Sequence, residues 1–266
     1  MRQKTVHIFL ILIGLFCNQT PLLADHENET FLLDIAYYFR AAHNVIDHHQ
    51  KHINNPDIGD KHLTGTVIVK QTQDNFEEIT NKSFIETFRQ GEMHKKGFKA
   101  FTKAIKTVMN ESQEQINKIG KADKNLLPAI FVRKVAEEFE KNIDGQVSIK
   151  LTAPHEIILN KDNSPDKFEA DVMENKFQSD KWEKGMHVFK EKVLVDNHHA
   201  DRLVLPEYYQ ESCLDCHGGS PQAVSPQVVK GHYGNEPSTQ TATAPEPRSK
   251  LGTLGGAISV IVHHEY

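Results

Sequence analysis

Two thiols and an imidazole stand within five residues, Cys213-Leu214-Asp215-Cys216-His217. The string fits C-x-x-C-H. In that chemistry two cysteines add across the two vinyl groups of a porphyrin, and the adjoining histidine takes the iron as proximal ligand. The two-residue spacer sets the sulfur separation to suit the vinyl positions. The residues therefore imply one covalently bound haem c, held by Cys213, Cys216 and His217. A Cys213–Cys216 disulfide beside an incidental histidine is the competing chemistry, since exported proteins form disulfides. A thioredoxin-like dithiol fits less well, because no compact βαβ pattern surrounds the pair and Gly218-Gly219-Ser220-Pro221 reads as loop.

The N-terminus supports the haem reading independently. Arg2 and Lys4 precede an apolar run over residues 8–16, and Leu22-Leu23-Ala24 follows it. This is the pattern of a secretory signal cleaved after Ala24, its apolar run too short to span a bilayer. Cys17 lies in this stretch, so the two cysteines of the motif are the thiols expected in a mature chain of residues 25–266. Haem is joined to C-x-x-C-H outside the cytoplasm in bacteria, so a periplasmic or otherwise exported location is expected. Loss of Arg2 and Lys4 takes the formal net charge from −5 to −7. That balance argues against nucleic acid and against an anionic membrane surface. No later stretch reads as a membrane span, so no stable membrane insertion is expected once the signal is gone.

Other residues could also ligate. Fifteen histidines follow the signal, and His43, His48, His49, His52 and His62 cluster early. His48 and His52 share a helix face, yet no carboxylate or cysteine completes a tetrahedral set at familiar spacing. Any of the group could be a distal haem ligand, with His43 and His49 foremost. His155 could reach the haem edge. His198-His199, in an expected turn, and His263-His264 read as exposed. There is no G-x-S-x-G, no phosphate-cradling glycine loop and no H-E-x-x-H, which favours a carrier or sensor over an enzyme.

The elements that must position these groups fall in two halves. Residues 25–145 read as mostly helical, with helices over 31–54, from about 83 to 91 and from about 98 to 119, and a further apolar pattern over 66–78. A shift of 63 residues overlays 39–76 on 102–139 without a gap, pairing Gln50 with Gln113, Asp60-Lys61 with Asp123-Lys124 and Ile46 with Met109. The overlay predicts two copies of a helix–loop–helix unit about a local twofold. Residues 146–266 read as mostly strand, with strands at 146–151, 188–195, 202–205 and 255–262 and a short helix over 167–178. The middle two strands form a hairpin through 196–201. A segment rich in Gly, Ser, Pro and Thr follows the haem motif from 218 to 249. Helices first and an antiparallel sheet afterwards make one α+β domain.

Four stretches, INNPDIGDKHLTG (53–65), LTAPHEIILNKDNSPDKFEAD (151–171), LPEYYQESCLDCHGG (205–219) and LGTLGGAISV (251–260), carry a resemblance. In order and wording the chain resembles the periplasmic single-haem c-type cytochrome family with a PAS-like haem domain, which occurs alone or ahead of histidine kinases. The resemblance implies a PAS-like antiparallel sheet, N-terminal helices packed against it, and a covalently bound haem between them. Members can bind iron on the distal side through a cysteine in an N-terminal helix. The mature chain has no such cysteine, and the resemblance implies that Met109 occupies its place, with His43 or His49 as the alternative. The expected function is electron transfer or redox response, served by a separate and unknown redox partner protein. A diatomic-gas sensor or small haem enzyme with an open iron is the alternative.

Overall fold

The computed structural model describes residues 21–185, 187–195, 198–217 and 249–264. Residues 1–20, where the signal is expected, residues 186, 196–197 and 265–266, and the Gly/Ser/Pro/Thr-rich segment over 218–248 lie outside the described residues. Six helices come first: α1 (Pro21–His48), α2 (Gln50–Ile53), α3 (Gly65–Thr80), α4 (Phe84–Phe88), α5 (Glu92–Ile116) and α6 (Pro128–Asn142). Strand β1 (Val147–Thr152) follows. Helix α7 (Lys167–Asp171) runs on into a π-helical turn, Val172–Phe177. Then come β2 (Phe189–Val195), β3 (His198–Tyr208), α8 (Glu211–His217) and β4 (Leu254–His263).

Local chemistry sets the helix ends. The Thr64 hydroxyl accepts from the Val67 N–H at the start of α3, and Asn81 closes that helix with a left-handed φ of 53°. Pro128 opens α6, where its missing N–H costs nothing. The long helix expected from about 98 begins at Glu92, because Gly91 is its extended N-cap and Gly97 lies inside it. Gly97 is needed there for close approach. A Cβ at that position would come within 2.4 Å of the Phe31 ring on α1.

The 63-residue offset is written in hydrogen bonds. Gln50 donates to the Leu126 carbonyl at 2.9 Å, and Gln113 donates to the Leu63 carbonyl at 2.9 Å. The Lys61 N–H donates to Asn117 Oδ1, and the Lys124 N–H to Asn54 Oδ1. Each helix–loop–helix unit thus ties down the other's loop through equivalent residues. Within each loop a buried lysine caps helix-end carbonyls: Lys61 donates to Asn55 and Ile58, and Lys124 to Lys118. Burial, with the charge of Lys124 nearby, lowers the pKa of Lys61. The equivalent residues His62 and Asn125 both take a left-handed φ, 54° and 51°.

The strands form one antiparallel sheet in the order β1-β4-β3-β2. This is the mixed helix-and-sheet, PAS-like α+β architecture. Alternation along β3 divides its side chains between two faces. Leu203 and Leu205 join Ile258, Val260 and Val262 of β4 in the core beneath the helices. Val204 packs on the opposite face with Val172, Met173 and Phe177. Strand β3 is longer than the expected 202–205. His198 and His199, expected in a turn, are paired with Val195 and Leu194, because β3 begins four residues before the expected 202.

A charged cluster holds the outer face. Arg202 donates to Asp166 at 2.6 Å and to Glu169 at 2.7 Å and lies 4.6 Å over the Phe168 ring, while Lys150 pairs with Glu169 at 2.8 Å. Asp166 and Glu169 also form the capping box of α7. Burial pushes the Asp166 carboxyl upward, but the Glu169 N–H and the Arg202 guanidinium outweigh it and hold its pKa down. Its contribution is therefore complete above the ordinary carboxylate range and lost as pH falls through the depressed value. Arg202→Met leaves Glu169, which is fully buried, with Lys150 as its ion-pair partner. The expected loss is about 3 kcal/mol, the low end for a broken buried pair, and chemical denaturation measures it.

Candidate haem site

The haem motif lies on α8, so Cys213 and His217, four residues apart, project from one helix face. Both line a cleft between the helix layer and one end of the sheet. The cleft has a volume of about 980 Å³ including its open mouth. Phe39 and His43 of α1 form the helix-side wall. The opposite walls come from Leu151 and Thr152 of β1, Glu207 and Tyr208 of β3, Gly256 and Ile258 of β4, and the loop carrying Ile157 and Leu159. Cys213 is a half-buried free thiol and His217 is exposed.

Two glycines shape the α8 side. A Cβ on Gly255 would stand 3.0 Å from the Tyr209 ring, and one on Gly256 would stand 2.5 Å from the Thr152 carbonyl. Without those side chains, Tyr209 lies flat on β4, held by its N–H to the Thr253 carbonyl at 3.0 Å. The Tyr209 ring then sits 5.4 Å from that of His217. The wording LGTLGGAISV thus has a positional meaning at the cleft.

The α1 wall is aimed by Arg40, one turn before His43. Arg40 pairs with Glu207 at 2.7 Å, donates to the Pro206 carbonyl at 2.7 Å, and lies 5.3 Å over the Tyr37 ring. This clamp ties α1 to the end of β3 and turns Phe39 and His43, four residues apart, toward the cleft. Burial lowers the His43 pKa, with Glu207 and Asp47 opposing. A neutral imidazole keeps the lone pair that a metal needs.

The cleft brings together Cys213, His217 and His43; the side chain of Cys216 lies outside the described residues, and Met109, His49 and His155 are not among the residues of the wall. Met109 is fully buried in the helical core and is not among the residues of the cleft wall. It sits where Ile46 sits in the first unit, also fully buried, and its carbonyl accepts from Gln113 at 2.9 Å. The ligand placed first by resemblance is thus one this cleft does not present. The physical reason is that both residues lie on the faces where the two helical units pack. His49 is also off the wall and meets Gln71 Oε1 at 2.8 Å. His155 is exposed, and its neighbours Ile157 and Leu159 reach the cleft instead. Sequence reasoning did not single out Phe39 and Arg40. Their signal was present as the i, i+4 pair Phe39/His43 on one helix face.

The residues fit a haem. A thiol and an imidazole stand on one wall, a second imidazole on another, and apolar side chains fill the space between. Tyr208, also of the wall, keeps its hydroxyl beside the Trp182 side chain, without a hydrogen bond of normal geometry among the described residues. A C-x-x-C-H helix on a cleft between N-terminal helices and a PAS-like sheet defines a haem-binding cytochrome domain. The family profile described as Tll0287-like matches residues 41–263, and the chain belongs to that family of single-haem, PAS-like c-type cytochrome domains. No curated protein and no solved structure matches the chain significantly.

Proposed function

We propose that this is an exported monohaem c-type cytochrome that transfers electrons through a haem ligated by two histidines. Cys213 and Cys216 would tether the haem, His217 would bind one face of the iron, and His43 the other. The observation that carries this reading is the presence of His43 and His217 on the walls of one cleft. When bound, the haem supplies a one-electron couple at its iron. The chain's part is to hold both imidazoles in place. Arg40 and Glu207 orient the helix that bears His43, and Tyr209 packs beside His217. Phe39, Leu151, Ile158 and Ile258 keep much of the cleft apolar, which would limit solvent access and so tune the potential of a bound haem. Two strong-field ligands held in both oxidation states need little rearrangement on electron transfer, which suits a carrier. No helix among the described residues is long and apolar enough to cross a membrane. A separate redox protein would complete the electron path.

The test is the spectrum in both oxidation states. Six-coordinate, low-spin haem when oxidised and when reduced, with slow uptake of CO, supports the carrier. A five-coordinate reduced form that binds CO or NO at once removes it and favours a gas sensor.

A further inference from the structure

A second pocket lies on the far side of the helical layer, away from every residue of the haem cleft. It has a volume of about 870 Å³ including its mouth and is formed by α3, α4 and α5. Phe84, Phe88 and Phe98 supply apolar walls, with ring centroids of Phe84 and Phe98 5.3 Å apart. Lys99, Lys103 and Lys106 line the same pocket from α5. Their spacing puts them on one helix face, and all three are exposed. No carboxylate is among the described residues of the wall, and none forms an ion pair with these three lysines.

Beneath the pocket lies Tyr38, fully buried, its ring 5.4 Å from Phe84 and 4.9 Å from Phe98. Its hydroxyl lies beside the side chains of Thr102 and Gln73, both of which line the pocket. It makes no hydrogen bond of normal geometry among the described residues. Burial pushes its pKa up to about 12, so it stays a neutral O–H donor. A buried donor without a partner is costly, and a ligand or water that reaches it would offset that cost.

We propose that this pocket binds a small amphiphilic carboxylate, its apolar body on the phenylalanines and its charge between the lysines. Three clustered cations without paired carboxylates attract an anion, and the aromatic walls reject one that is fully hydrated, such as phosphate or sulfate. An aromatic body suits the walls best, because it can stack on the half-buried Phe88 ring, behind which Phe84 and Phe98 are packed.

The test is calorimetric titration of the haem-loaded protein with 2-naphthoate, using 2-naphthamide as the neutral analogue of the same shape. The expected result is one 2-naphthoate per chain and at least tenfold weaker binding of the amide. Lys103→Glu combined with Lys106→Glu should weaken 2-naphthoate at least tenfold. Both sites are exposed, so an unchanged thermal midpoint will show that the fold is intact. Tyr38→Phe, which removes only a hydroxyl without a partner, should leave the midpoint unchanged or raised and still weaken binding. Absence of saturable heat into the millimolar range overturns the proposal. So does equal binding of the amide, or wild-type affinity in the charge-reversed variant.

Discussion

With Cys213 and Cys216 both changed to serine, the chain will carry no haem through denaturation. The parent will keep its haem through denaturing electrophoresis and acid–organic extraction, and its mass will exceed that of the mature polypeptide by one haem. The contrast is between complete retention and none, because a thioether survives unfolding and an iron–imidazole bond does not. Either single variant should retain at most one thioether and mature poorly. The structure adds a reason for the poor maturation. Helix α8 is seven residues long, far below the length at which a helix is stable alone. Tyr209 packs beside it, and a tethered haem would hold it at the cleft. Clean extraction of haem from the parent protein would end the c-type assignment.

His43→Ala should convert the oxidised haem from six-coordinate low-spin to high-spin and open the iron to CO. The whole spectrum changes class in one substitution, whereas Met109→Leu and His49→Ala should leave it unaltered. Met109→Leu is a volume-conserving core change, expected to cost less than about 1.5 kcal/mol, so the variant will fold and the comparison is fair. His43→Met offers the opposite sign of evidence. A Met/His pair raises the reduction potential relative to two histidines, so a potentiometric titration should move upward. If His43→Ala remains low-spin while Met109→Leu becomes high-spin, the ligand assignment is reversed and the cleft does not define the distal side. Arg40→Leu separates position from chemistry. It leaves His43 in the chain but removes the clamp to Glu207 and Pro206, and should give a mixture of spin states rather than full conversion.

Much of this protein follows from local sequence. The pentapeptide from Cys213 to His217 names its cofactor because covalent attachment needs two thiols and an imidazole at fixed spacing, whatever surrounds them. The sheet was legible because Gln146-Val147-Ser148-Ile149-Lys150-Leu151 and the residues around Val260 carry the period of a strand. The equivalence of Gln50 with Gln113 and of Lys61 with Lys124 was also legible, since equivalent residues make equivalent bonds. The distal side was not. His43 and Met109 sit on helices and His49 at the turn between α1 and α2, and helical periodicity says which residues share a face without saying what that face meets. Tertiary contacts decide which of these residues reaches the cleft. Arg40 reaches Glu207, 167 residues away in the chain, and that bond sets the rotation of α1 over the cleft. Met109 and Ile46 are drawn into the packing between the two helical units, where burying an apolar side chain is favourable. His43, a polar ring on the neighbouring face, is left to the cleft.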